Sequence, residues 1–356
     1  MIITANQLTS LRILLMPLPW FLVYQGQNAR VAAVIILFLL GFTDYFDGLL
    51  ARKYGTTPLG RLLDPIADKI FVAVTLLPLL HLGILPLWVV WPIFLREFVV
   101  TELRRFLTPG RNELKVTELA KIKTTVQMTG IGLIFLTATF PDKSVSYFLL
   151  TAAIAGTFCA IAWFCMKTGR VPPRLYIAMT FLIVGLLPLL FFSTETTNVI
   201  YGAVLLAITL ASGAQYVRAT LPMCIRRGTG AVAGLFISVA LPLTLLAVIP
   251  GVSQAMAGII TAAVAVEFCS QGMDMWAVQQ GHPTLTRWKE RFFVPAAFLP
   301  LVYCWATGSK HTLHNFILTA FIVSITYAAC DVIFLKDLLF GQNTREVRDS
   351  GPRQAS

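Results

Sequence analysis

The chain has 356 residues, of which 57% are hydrophobic and only 13% charged, with a formal charge of +11. A soluble domain carries roughly a quarter charged residues, so a soluble globular enzyme is excluded and a membrane protein is indicated. The basic residues fall at the ends of apolar runs, which assigns the positive charge to topology and anionic lipid and leaves no role for nucleic acid.

Apolar runs close to the roughly 18 to 20 residues that cross a bilayer recur along the whole chain. None alternates like barrel strands, and backbone groups in lipid must be satisfied within the chain. The fold class is therefore an all-α polytopic membrane protein. About twelve spans are expected, at 8–25, 31–53, 64–82, 86–107, 119–139, 145–166, 173–193, 198–219, 229–250, 253–278, 287–306 and 313–336. The first has no convincing small-residue cleavage site, so no cleavable signal peptide is expected. Six cysteines and four histidines show no metal-type spacing.

Basic residues mark every second junction. Arg52, Lys53 and Arg61 follow the second span, and Arg104, Arg105, Arg111, Lys115, Lys121 and Lys123 surround the fourth-to-fifth junction. Lys167, Arg170 and Arg174 follow the sixth, Arg218, Arg226 and Arg227 the eighth, and Arg287, Lys289 and Arg291 the tenth. The alternate loops HLGILP, STETTN and PGVSQ carry almost no basic charge. This is the positive-inside pattern, and it places both termini on the cytoplasmic side of a plasma (inner) membrane.

Between the second and third spans lies FTDYFDGLLARKYGTTPLGRLLDPIADKI, residues 42–70. Asp44 and Asp47 are three apart and Asp64 and Asp68 four apart, so each pair shares a helix face. The connection is short, so the two helices are expected to be antiparallel neighbours with converging carboxylates. Such like charges need protons or cations to offset them. All-oxygen donors at a wet membrane face suit Mg²⁺ or Mn²⁺, and four carboxylates suit two such ions. In a purely structural role the same acids would pair with Arg52, Lys53, Arg61 and Lys69, or reach out to the interface. The interleaved Gly48 and Ala51 favour a ligand, since they leave room against the backbone.

The two halves of the chain resemble each other at a shift of about 166 to 170 residues. REFVVTELRRF (96–106) aligns with VEFCSQGMDMW (266–276), and ELAKIKTTVQ (118–127) with TLTRWKERFF (284–293). A worn tandem duplication of a six-span unit is expected. The second copy has lost its acids: between Val171 and Val266, Glu195 is the sole carboxylate. Any catalytic site therefore belongs to the first half. Glu267, Asp274 and Asp331 are isolated acids expected to pair, for example with Arg287 or Lys289, or to face a polar cavity. Trp276, Trp288 and Trp305 are expected at the membrane interface.

The order Asp44-x2-Asp47-Gly48-x2-Ala51-Arg52-x7-Gly60-x3-Asp64-x3-Asp68 resembles the signature of the CDP-alcohol phosphotransferases, with every signature position filled. The resemblance implies a six-helix bundle with a cytoplasm-facing cavity over residues 1–170. It implies metal ligands at Asp44, Asp47, Asp64 and Asp68, with Asp68 also the catalytic base. Gly48, Ala51 and Gly60 are implied to admit the cytidine nucleotide, and Arg52 to touch its phosphates or anchor the helix end. The implied reaction is attack of an alcohol on the β-phosphorus of a CDP-linked donor, with loss of CMP.

NQLTSLRILLMP, LREFVVTELRRF and ELAKIKTTVQM are similar to the phosphatidylglycerophosphate synthase subgroup, which joins glycerol 3-phosphate to CDP-diacylglycerol. Ala120 departs from the glycine common there before the KxKT run. An acceptor that carries its own phosphate needs fixed cations, and Arg96, Lys123, Arg104, Arg105 and Lys121 are candidates, with Thr9 beside them. Arg104, Arg105 and Lys121 serve equally well as topology anchors, and Thr9 as a helix cap. Arg96 lies deeper in its span, so Glu97 or a bound anion is expected as its partner.

Residues 171–340 are expected to form a second, inactive six-span domain and 341–356 a disordered tail; the resemblance implies homodimers, and the second domain could occupy the partner's place within the chain. The same chemistry with phosphatidylglycerol, an inositol phosphate or serine as acceptor remains open. So does a different class, a secondary transporter of two related halves.

Overall fold

The computed structural model describes residues 5–54, 58–104, 118–140, 142–169, 171–279 and 310–334, and among them it is helical throughout, with no strand. The first half comprises α1 (Ala5–Leu15), α2 (Pro17–Leu22), α3 (Gln27–Tyr54), α4 (Pro58–His81), α5 (Leu87–Arg104), α6 (Glu118–Thr139) and α7 (Lys143–Thr168). The second comprises α8 (Pro173–Phe191), α9 (Thr194–Arg226), α10 (Thr229–Val248), α11 (Gln254–Gln279) and α12 (Lys310–Phe334). Among the described residues five helices, α7 and α9 to α12, are long and apolar enough to cross a membrane by length and composition. The expected span at 287–306 and the tail at 341–356 lie outside the described residues, as do Arg287, Lys289, Trp288 and Trp305.

The expected first span is two helices. Pro17 and Pro19 lack the N–H that a continuing helix needs, so α1 stops at Leu15 and α2 restarts with Pro17 at its first turn. Elsewhere the boundaries follow capping chemistry. Asp142 accepts from Ser144 N at 2.8 Å to open α7, and Gly169, at φ 64°, closes it in the left-handed conformation that glycine adopts without strain. Ser193 accepts from Thr196 N to open α9. Interior prolines such as Pro65, Pro78 and Pro92 are tolerated because neighbouring helices take over the packing.

The two halves share one apolar core. α5 packs on α9 and α10, α4 on α11, and α6 on α8 and α9. Helices in lipid associate by close packing and hydrogen bonds rather than by hydrophobic exclusion, and both are present here. A Cβ placed on Gly272 of α11 would lie 2.6 Å from Ile66 Cγ1 of α4, and one on Gly202 of α9 would lie 2.9 Å from Leu85. Trp20 Nε1 donates to Thr261 and Trp91 Nε1 to the Leu243 carbonyl, each at 3.2 Å, and Thr137 donates to Asn198. The rings of Phe98 and Phe268 stack with centroids 4.2 Å apart. By contrast α7 presents Phe148, Phe158, Trp163 and Met166 outward, the surface expected of a lipid-facing helix.

One expectation for the second half needs correction. Trp276 is buried inside the protein at 5% exposure instead of standing at the membrane interface. Glu267, Asp274 and Asp331 have polar partners, as expected of acids within a span: across the α11–α12 contact Ser324 donates to Glu267, Tyr327 to Asp274, and Ser270 to Asp331. Hydroxyls stabilise buried carboxylates there because the helices bring them within reach in a medium without water.

Candidate active site

Three helices of the first half and one of the second meet around a cavity of about 140 Å³. From α4 it is lined by Pro65, Asp68, Lys69 and Val72, and from α5 by Arg96, Glu97, Val100, Thr101 and Arg104. α6 contributes Lys123, Thr124, Gln127 and Met128, and α9 contributes Tyr216. The α5 residues recur at the spacing of a single helix face.

Asp64 and Asp68 sit one turn apart on α4, which places both carboxylates on one side. Asp64 is exposed, and the Asp68 side chain keeps 45% exposure. α1 supports both. Thr9 Oγ1 donates to Asp64 Oδ1 at 3.1 Å, and Arg12 Nη1 lies 3.7 Å from Asp68 Oδ1. Thr9 and Arg12 are themselves buried, so α1 is held against α4 by the two polar contacts and by its packing.

Glu97 is the hub of the cationic wall. It accepts from Arg96 Nη1 at 3.1 Å and from Lys123 Nζ at 2.6 Å. Arg96 is only 8% exposed, and its Nη2 donates to Ser212 of α9 at 3.1 Å. Its Nε has no partner among the described residues. Arg104 lies 5.1 Å from the centre of the Tyr216 ring, and Lys69 5.7 Å from that of Phe268, both within cation–π range. The lining therefore carries four basic side chains against two acids, one of which, Asp68, is already beside Arg12. A cavity walled by surplus, partly desolvated positive charge attracts an anion.

The structure thus brings together Asp68, Arg96, Arg104 and Lys123 of the residues singled out in the sequence, and gives Arg96 the Glu97 partner expected for it. Thr9 sits against Asp64 and is not among the residues lining this cavity. Gly60 lies in the first turn of α4. Asp44, Asp47, Gly48, Ala51 and Arg52 belong to α3 and Lys121 to α6, but their side chains fall outside the described residues, and Arg105 falls outside altogether. The sequence pattern did not single out Ser212, Gly213, Tyr216 or Gln127. The first three lie more than a hundred residues from the motifs they serve, and only the small-residue run ASGA hinted at a close helix contact there.

A helical membrane protein whose carboxylates and buried cations face one cavity is an integral-membrane protein arranged to handle an anionic substrate. Comparison with known proteins gives that class a family. The model of the CDP-alcohol phosphatidyltransferase family matches residues 2–167. A Mycobacterium tuberculosis protein named probable phosphatidylglycerophosphate synthase is 39% identical over 155 residues, 42% of this chain and 74% of that one. Two proteins named CDP-diacylglycerol–glycerol-3-phosphate 3-phosphatidyltransferase are also similar. That from Cereibacter sphaeroides is 40% identical over 137 residues, 37% of this chain and 62% of its own. That from Bacillus subtilis is 35% identical over 140 residues, 38% of this chain and 72% of its own. The chain belongs to the CDP-alcohol phosphatidyltransferase family, and is a membrane transferase of phospholipid biosynthesis.

Proposed function

We propose that this chain transfers the phosphatidyl group of CDP-diacylglycerol to glycerol 3-phosphate, giving phosphatidylglycerophosphate and CMP. The observation that carries the reading is the adjacency of Asp68 to the cationic wall of Arg96, Lys123 and Arg104 in one cavity. The acceptor hydroxyl must lie beside a base while its phosphate, a few ångströms away, meets fixed positive charge. An acceptor with less negative charge than a phosphate would leave more of the surplus positive charge uncompensated, at a cost in free energy. The names carried by the relatives point to the same acceptor.

The accessible carboxylates have the chemistry to hold divalent cations. Asp64 and Asp68 offer accessible oxygen donors one turn apart, suited to Mg²⁺ or Mn²⁺, and Asp44 and Asp47 of α3 would complete a set for two ions. Bound there, the ions supply neutralisation of the diphosphate charge. The chain does the rest. Arg96 and Lys123, fixed by Glu97, hold the acceptor phosphate. Asp68, oriented by Arg12, takes the proton from the acceptor hydroxyl as its oxygen bonds to the β-phosphorus and the bond to CMP breaks. Gly48, Ala51 and Gly60 admit the nucleotide, and Arg52 serves its phosphates or the helix end.

The second half is read as a worn copy of the first. α3, α4, α5 and α7 begin at Gln27, Pro58, Leu87 and Lys143, while α9, α10, α11 and α12 begin at Thr194, Thr229, Gln254 and Lys310. Each offset is close to the shift at which the sequences align. Phe98 and Phe268, equivalent in that alignment, stack on each other, as equivalent residues do across a twofold axis. The copy would then stand in for a dimer partner. The positive-inside charge pattern supports a cytoplasmic site and cytoplasmic termini, and with them a protein of the plasma membrane.

The deciding assay presents glycerol 3-phosphate, phosphatidylglycerol, inositol phosphate and serine side by side and follows CMP release from CDP-diacylglycerol in detergent. Turnover with glycerol 3-phosphate well above the others is expected. Preference for any other acceptor would refute the assignment.

A further inference from the structure

We propose that the second half builds part of the acceptor site: Ser212 and Gly213 of α9 position Arg96, and the ring of Tyr216 positions Arg104. The inference rests on reading Arg96 and Arg104 as acceptor-phosphate cations.

Three observations on one face of α9 carry it. The Ser212 hydroxyl receives Arg96 Nη2 at 3.1 Å while Glu97 receives Nη1, so the guanidinium is held from two sides by two helices. Gly213 makes the space in which the Arg96 side chain runs. A Cβ there would lie 2.5 Å from Arg96 Cγ and 3.0 Å from its Nε, and so would displace the side chain. One turn after Ser212, Tyr216 lines the cavity itself and lies under Arg104 at 5.1 Å.

The chemistry of these residues explains why they orient and do not neutralise. A hydroxyl, an absent side chain and an aromatic face fix cations in place without supplying a negative charge. An acid at position 212 would bind Arg96 more strongly but consume the charge meant for a phosphate. With Ser212, Arg96 stays buried and net positive, and its Nε remains without a partner among the described residues. α9 is also the helix that the internal alignment makes equivalent to α3, the carrier of Asp44 and Asp47. A copy that has lost its acids is free to serve as a neutral wall for the other half.

The test uses the full-length chain in detergent, with CMP release followed as glycerol 3-phosphate and CDP-diacylglycerol are varied separately. Ser212→Ala and Tyr216→Leu are expected to raise the KM for glycerol 3-phosphate roughly 10-fold each, the loss of one interaction to a charged group. Gly213→Ala should raise it further. The KM for CDP-diacylglycerol should stay within about twofold, and Tyr216→Phe, which keeps the ring, should behave as the parent. If Gly213→Ala does not fold, Ser212→Ala and the Tyr216 pair decide alone. The inference is overturned if the acceptor KM does not move, if both KM values rise together, or if Tyr216→Phe is as impaired as Tyr216→Leu. Arg96→Gln separates the two levels. If it too leaves the acceptor KM unchanged, the reading of the acceptor site falls with the inference. If it raises that KM while the α9 variants do not, only the role of α9 falls.

Discussion

Phe98 of α5 and Phe268 of α11 stack with ring centroids 4.2 Å apart and planes 12° from parallel, and both are fully buried. This stack joins the first half to the second beside the cationic wall: Phe98 is one residue from Glu97, and Lys69 Nζ lies 5.7 Å from the centre of the Phe268 ring. Phe268→Ala should therefore destabilise the protein by about 3–5 kcal/mol through the cavity it leaves. Phe268→Leu should cost less than half of that. Thermal unfolding in detergent gives the order, and equal midpoints for both variants would mean that the cavity is not the source of the loss.

Glu97 holds two cations with one buried carboxylate. Glu97→Gln keeps the shape and removes the charge, leaving Arg96 and Lys123 uncompensated, with an expected loss of about 3–5 kcal/mol in stability. An added anion should restore part of it. Inorganic phosphate is expected to raise the unfolding midpoint of the variant more than that of the parent protein. A midpoint insensitive to phosphate in both would show that the cavity does not bind the anion.

How far the sequence spoke for itself differs between the elements. The helices were legible because bilayer thickness fixes the length of an apolar run, and α5, α6, α7, α10 and α11 start or stop within a few residues of the expected spans. The break at Met16 was written in Pro17 and Pro19 but hidden by the unbroken apolar run. Asp68, Arg96 and Lys123 stood out because charge is costly in lipid, so each survives only with a reason. Arg12 was visible beside Thr9, yet nothing local said that it would reach Asp68. Ser212, Gly213 and Tyr216 are ordinary residues for a membrane helix. Their part in the cavity follows from the packing of α9 on α5, which is a tertiary fact without a local signal. Trp276 was misplaced for the complementary reason: its position in the run suits an interface, but α11 is covered by α4 and α12.

Asp68→Asn should stop turnover while leaving CDP-diacylglycerol binding substantial. The amide keeps the size and the hydrogen-bonding reach of the carboxylate but takes up no proton, and losing a positioned base costs roughly 10²–10⁴ in rate. The informative comparison is CMP release against equilibrium binding of the nucleotide lipid on the same preparation. Full turnover in the variant would remove Asp68 as the base.

Removing divalent ions should have the same effect on turnover through a different route. Asp64 is exposed and Asp68 half-exposed, so ions held there would exchange with solvent and a chelator should reach them. CMP release is expected to fall to background with EDTA and to return with Mg²⁺ or Mn²⁺. Ca²⁺ should restore it poorly, because a larger ion with looser geometry places the diphosphate less exactly. Asp64→Ala should raise the Mg²⁺ concentration needed for half-maximal rate about tenfold or more, since one charged ligand is lost while the acceptor wall stays whole. The KM for glycerol 3-phosphate at saturating Mg²⁺ should be unchanged in that variant. Activity that persists through exhaustive chelation would leave the aspartates without the role proposed for them, and the accessible pair on α4 would then have to act through Thr9 and Arg12 alone.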